Sequence, residues 1–180
     1  MTRVVVGIDG SARSVEALRV ADAEARWRNA RLEAVLVYAP QPILDDRVTV
    51  AAATMWRGTT TSQSSDVAHV LRDGRRRGRE RARRHATALL AQRVADAGLD
   101  TRAMDCTVVS DARPAHALVR LAAGADLLVL GAPGRVGSRR GLRGSVGRYC
   151  VRHVDCPVLL VGGGGLAAHR RPVLRRAPAW

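Results

Sequence analysis

Short, almost continuous apolar runs alternate along the chain with longer stretches in which apolar residues recur at helical spacing. The runs predict strands buried on both faces of a sheet and cover residues 4–8, 32–38, 104–109, 126–130 and 158–161. The stretches with helical spacing predict helices after Ser14 and over residues 66–97, 114–123 and 146–154. Such alternation is typical of an α/β domain with a parallel sheet and helices on both faces.

Local signals set the expected boundaries of these elements. Ser14 is expected to cap the first helix, and Pro114 fits the first turn of a later one. Gly74 and Gly78 are expected to weaken or interrupt the helix over 66–97, and Gly98 to stop it. Residues 39–65 show no clean period, so we predict a long connection with a short helical piece around 48–56.

A glycine pattern follows the fourth apolar run. It reads Gly131-Ala-Pro-Gly134, then nine residues, then Gly144-Ser145 at a predicted helix start. Glycine lets another molecule approach the main chain, and the free N–H groups of a helix start favour an anion. The pattern is therefore compatible with a phosphate-binding loop. Taken alone, a Gly-x-x-Gly segment is more often only a turn, and a Gly-Ser pair before a helix is more often only a cap.

Together with Asp9 after the first strand and Cys156-Pro-Val158 in the last, this pattern resembles the universal stress protein family, in particular its ATP-binding branch. The family signature, Gly-x2-Gly-x9-Gly-(Ser/Thr), is met at all four positions, and the resemblance covers residues 2–162. It implies a Rossmann-like open sheet of five parallel strands in the order 3-2-1-4-5. It also implies a nucleotide-binding domain over 1–162, followed by a flexible basic tail over 163–180.

In that strand order a ligand crevice lies between the carboxyl ends of strands 1 and 4. The resemblance implies a set of nucleotide-binding residues there: Gly7, Ile8, Asp9, Val37, Gly131, Gly134, Gly144, Ser145 and Val146. The first four would contact the adenosine of ATP, and the phosphates would lie over the last four. Mg²⁺ is expected through the phosphates, with no metal site of the protein's own. Asp9 would orient the nucleoside or assist the Mg²⁺, or else it caps the turn before the first helix.

Charge and composition limit the kinds of ligand and binding motif that the chain could have. The net charge is +14, yet all 30 basic residues are arginine, and the chain has only five aromatic residues. Such a charge attracts polyanions without specificity, but aromatic surface on which single-stranded bases could stack is scarce, so specific nucleic-acid recognition is not predicted.

Two other nucleotide-binding motifs are excluded. Without a lysine the chain cannot form a Walker P-loop. The segment Gly7-Ile-Asp-Gly10 does not match a dinucleotide fingerprint either. The arginine-rich loop over 135–143 either clamps a triphosphate or faces water.

No serine or cysteine has a histidine at the spacing of a catalytic triad, so no catalytic residue is predicted. We predict a regulatory ATP-binding module, with slow hydrolysis or self-phosphorylation at most. The alternatives are a nucleotide-free dimeric interaction protein of the same fold and a weak ATPase.

The compartment and the oligomeric state are predicted from other features. The three cysteines do not have the pattern of a disulfide framework, and no apolar run is long enough to span a membrane, so a cytoplasmic protein is predicted. The last strand, at the sheet edge in the family order, predicts a homodimer.

Overall fold

The computed structural model describes residues 2–39, 64–132 and 145–162, with the backbone alone for 64–71 and 145. Of the described residues, 2–39, 87–132 and 145–162 belong to one compact unit and 64–86 to another. The predicted helical piece around 48–56 and the tail over 163–180 lie outside the described residues. The assignment of a domain to 1–162 stays a prediction.

The strands and helices alternate as predicted. The strands are β1 (Arg3–Ile8), β2 (Arg31–Tyr38), β3 (Asp105–Ser110), β4 (Leu127–Ala132) and β5 (Val158–Gly162). The described helices are α1 (Ala12–Trp27), α2 (Ser64–Asp96), α3 (Pro114–Leu121) and α4 (Ser145–His153). All strand pairs are parallel, and the order β3-β2-β1-β4-β5 confirms the expected sheet.

The core lies on both faces of the central strands. Val4, Val5 and Val6 of β1 are fully buried because neighbouring residues of a strand point to opposite faces and helices cover both. On one face β1 and β4 pack against α3 and α4, in a cluster that includes Val5, Leu118, Leu128 and Cys150. On the other face the buried side of α1 faces the sheet, with Leu18 fully buried.

The first helix begins earlier than predicted. Ser11, not Ser14, is the N-cap of α1: its backbone is extended, and its Oγ accepts a hydrogen bond from Ser14 N at 3.2 Å. Ser14 is a buried residue of the first turn, and its Oγ donates to the Ser11 carbonyl at 2.8 Å. Gly10, at φ +82°, makes the tight turn that starts the helix here.

The expected interruption of α2 is wrong, because the helix runs unbroken through Gly74 and Gly78. Each glycine costs a helix only about 1 kcal/mol relative to alanine. The ion pair from Arg77 to Asp73 spans the turn that contains Gly74, and the pair from Arg84 to Glu80 lies in the turns that follow Gly78. The expected stop is confirmed: α2 ends at Asp96, just before Gly98 at φ +76°.

Candidate functional site

A cavity of about 340 Å³ lies at the carboxyl ends of β1, β2 and β4, beside the first turns of α1, α3 and α4. It adjoins the point where the strand order reverses, the usual ligand position in open α/β sheets. Six of the residues implied by the resemblance line it: Gly7, Ile8, Asp9, Val37, Gly131 and Val146. Gly134 and Gly144 lie outside the described residues. Ser145 begins α4, as predicted, and only its backbone is described.

Gly7 leaves space at the floor of this cavity. It lies in β1 between Val35 of β2 and Leu130 of β4 in the strand register. A Cβ at Gly7 would lie 2.6 Å from Leu130 Cδ2 and 3.4 Å from the methyl groups of Leu118. Any side chain here would therefore displace the apolar residues that form the floor.

Gly131 has a role that the sequence pattern did not show. We expected it just beyond the fourth strand, but β4 continues through Ala132, and Gly131 is paired with Val161. A Cβ at Gly131 would lie 3.1 Å from the carbonyl carbon and oxygen of Arg13 and 3.2 Å from Ser14 N. Gly131 therefore lines the cavity and also admits the backbone of α1 close to β4.

Asp9 follows β1 directly and has the local role that we considered for it. Its Oδ1 accepts a hydrogen bond from Ser11 N at 2.9 Å, which closes the turn into α1. Burial raises the pKa of this carboxyl, but hydrogen bonds from Ser11 and Ser14 outweigh that effect and hold the pKa below its ordinary value. Asp9 is therefore ionised at neutral pH, and its carboxylate, exposed at the cavity, accepts hydrogen bonds or binds a cation.

Arg13 is the most informative residue that the sequence analysis missed. It is exposed in the first turn of α1, lines the cavity and forms no ion pair with any described residue. A cation in the first turn of a helix is unfavourable, because the helix dipole is positive there. An anionic ligand in the cavity would compensate both charges.

The other missed lining residues are mostly apolar or small: Ser11, Val35, Pro114, Leu118, Leu130, Ala132 and Gly147. The sequence contained a signal for only some of these residues. The strand order places Val35 and Leu130 beside Gly7, so register would have indicated them. Nothing in the periodicity of α3 distinguishes Leu118 from an ordinary core residue.

Two cavity walls are joined by side chains of α3 and α4. Tyr149 Oη lies 3.2 Å from His116 Nδ1, and the Tyr149 ring stacks on that of His153 at 3.9 Å between centroids. Cys150 is fully buried beside them, and burial raises the pKa of its thiol to about 11. A neutral buried thiol is a packing group, not a nucleophile. The Tyr149–His116 contact joins the first turn of α3 to the middle of α4, and the stack on His153 lies within α4.

Among the described residues no three or more histidine, cysteine or acidic side chains are grouped to hold a metal ion. Within the same ranges, no helix combines the length and apolarity that crossing a bilayer requires.

The sheet order and the cavity at its switch point define a doubly wound α/β protein. The family model of the universal stress protein family matches residues 1–162, and the chain belongs to that family. A universal stress protein crystallised in complex with cAMP is 28% identical, with a TM-score of 0.51, covering 89% of this chain and 95% of its own. A universal stress protein from Archaeoglobus fulgidus, 17% identical, has a TM-score of 0.51 over 89% of this chain and 98% of its own, and shows the fold alone. No curated protein matches the chain.

Proposed function

We propose that this protein binds ATP, with Mg²⁺ carried by the phosphates, in the cavity at the carboxyl ends of β1, β2 and β4. The observation that carries the proposal is convergence. Residues implied by three distant stretches of sequence, represented by Asp9, Val37 and Val146, line one cavity at the switch point of the sheet. The 28% identical universal stress protein in complex with cAMP supports an adenine nucleotide as the ligand class.

The chemistry of the walls suits the two ends of a nucleotide. Ile8, Val37 and Leu118 offer apolar surface for a base. Arg13 and the first turn of α4 offer positive charge and N–H groups for phosphates. The loop containing Gly134 and Gly144 would complete the phosphate site, as the family signature implies. The ionised Asp9 would then contact a ribose hydroxyl or a water of the Mg²⁺ shell.

The module is proposed as a regulatory binder and not as an enzyme, with hydrolysis slow at most. Phosphoryl transfer to water needs a group that orients the attacking molecule. Among the described lining residues, Asp9 is the only side chain with a basic oxygen suited to that task, and its hydrogen bond to Ser11 N holds it in the β1–α1 turn. Phosphate release from Mg-ATP, measured beside binding, separates a binder from the weak ATPase.

The decisive experiment is calorimetric titration of nucleotide-stripped protein with Mg-ATP, using a matched pair of variants. Val37→Phe places a ring in the cavity. Val109→Phe makes the same change at its half-buried register partner on β3, which does not line the cavity. We expect saturable binding by the wild type, at least tenfold weaker binding by Val37→Phe and a change within about twofold for Val109→Phe, because one blocked pocket contact exceeds about 1.4 kcal/mol.

Two results would contradict the proposal. Absence of binding by folded wild-type protein would favour the nucleotide-free interaction protein. Equal losses in the two variants would place the nucleotide elsewhere. Gly144→Val tests the loop separately. We expect this change to weaken the binding of ATP more than the binding of adenosine, because it acts on the contacts with the phosphates.

A homodimer through β5 is part of the proposal. β5 is an edge strand, and Leu159, Leu160 and Val161 are only half-buried. Pairing of this edge with a second copy would cover them. Light scattering of Leu160→Glu against the wild type tests it: we expect the variant to be monomeric, and a wild-type monomer at tens of micromolar would exclude this dimer. The proposed compartment is the cytoplasm.

A further inference from the structure

Between residues 72 and 84, helix α2 carries the densest charge of the chain. Eight arginines and two acids give this segment a formal charge of +6. Both acids form ion pairs: Asp73 pairs with Arg77 at 3.7 Å, and Glu80 pairs with Arg84 at 3.0 Å. These two ion pairs lie on one side of the helix.

Another side carries arginines alone. Arg75, Arg79 and Arg83 recur every four residues, so they form one column along the helix, hereafter the arginine column. All three are exposed, and none forms an ion pair within the described ranges. Like charges four residues apart destabilise a helix. The column thus opposes helix stability, and no described residue compensates its charge with an ion pair.

We propose that the arginine column is a docking surface for the phosphate backbone of double-stranded nucleic acid, bound without sequence specificity. It is about 12 Å long at 1.5 Å per residue and presents three guanidinium groups, which suit phosphate oxygens bidentately. A duplex strand carries a phosphate about every 3.4 Å of its axis. The column is therefore long enough to contact one strand across several phosphates.

The composition of the helix selects a duplex over a single strand. Proteins that bind single-stranded nucleic acids combine a basic groove with aromatic rings on which the bases stack. No phenylalanine, tyrosine or tryptophan occurs between residues 64 and 97. Backbone contacts by arginine need no such rings and read no base sequence. Arg75, Arg79 and Arg83 are not among the residues that line the nucleotide cavity, so the two proposals are tested separately.

Salt dependence of binding provides the test, with a fluorescent random-sequence duplex titrated with full-length protein at 50 to 200 mM salt. The test variant is Arg75→Gln/Arg79→Gln/Arg83→Gln. The control, Arg26→Gln/Arg102→Gln/Arg152→Gln, removes the same charge from exposed arginines outside α2. Circular dichroism confirms that α2 persists in both, which is expected because glutamine forms helices well.

Loss of three phosphate contacts lowers the slope of log K against log salt by about 2.7. Between 50 and 200 mM salt the wild type should thus lose about 40-fold more affinity than the test variant, and the control should keep the wild-type slope. Equal slopes in all three proteins would overturn the proposal, as would equal losses in both variants, which indicate bulk charge alone. Tighter binding of polyglutamate than of duplex at matched charge would assign the column to an acidic protein instead.

Discussion

The two ends of the sheet use polar residues in opposite ways. At the amino end the guanidinium of Arg3 donates to Glu33 at 2.9 Å and to the carbonyls of Leu121 and Ala123, while Asp126 accepts from its backbone N–H. At the carboxyl end Asp9 bonds within its own turn, and Arg13 has no ion-pair partner among the described residues. Polar groups that satisfy one another hold elements together, whereas those around an open cavity remain available to a ligand.

Removing the Arg3 side chain at the amino end of the sheet should produce the largest loss of stability. Arg3→Ala removes a side chain that joins β1, β2 and the end of α3, and it leaves the carboxylate of Glu33, only 12% exposed, without its cation. We expect the free energy of unfolding to fall by about 2–3 kcal/mol, as for hydrogen bonds to charged groups. Urea denaturation measures it, with ATP affinity retained under conditions where the variant is folded.

Arg31→Ala is the matched control for that change. Its ion pair with Asp105 is 2.8 Å long but about half exposed on both sides. Water screens such a pair, so the loss should stay below about 1 kcal/mol. Equal losses in the two variants would show that the contacts of Arg3 with α3 add nothing to the free energy of unfolding.

At the carboxyl end, two glycines that line the cavity should respond in opposite directions. Gly131→Ala places a Cβ 3.1 Å from the α1 backbone, which cannot move aside as a flexible side chain can, and should cost about 1–3 kcal/mol. Gly147→Ala places a Cβ 3.7 Å from Leu160, an ordinary contact inside α4, and should add about 0.5–1 kcal/mol. Thermal or urea unfolding checks both. A neutral Gly131→Ala would mean that α1 does not need the close approach.

The same glycines show how far sequence reasoning reaches. The apolar runs located all five strands, and the family resemblance supplied their order, because buried parallel strands have a strong local signal. The pattern also brought Gly131 to the cavity, but it could not show that α1 packs on this glycine, since the contact joins residues more than a hundred positions apart. Ser11 was missed as N-cap because two serines fit the local pattern and only the turn at Gly10 decides between them. Arg13 was missed because its signal is the lack of an ion-pair partner among the described residues, which only a structure reveals.

The smallest expected effect distinguishes the two roles of Asp9. Its pKa lies below the ordinary 3.8, so its charge stabilises the fold above about pH 4, and that contribution is lost as pH falls through the lowered pKa. Asp9→Asn keeps an oxygen for Ser11 N but removes the charge. We expect the stability difference between wild type and variant to be constant from pH 7 to about 4 and to shrink below it, measured by urea unfolding across pH. A difference that persists unchanged to pH 2 would show that the carboxylate charge does not stabilise the turn. A variant that keeps its stability at pH 7 but loses Mg-ATP affinity would assign the charge to the ligand.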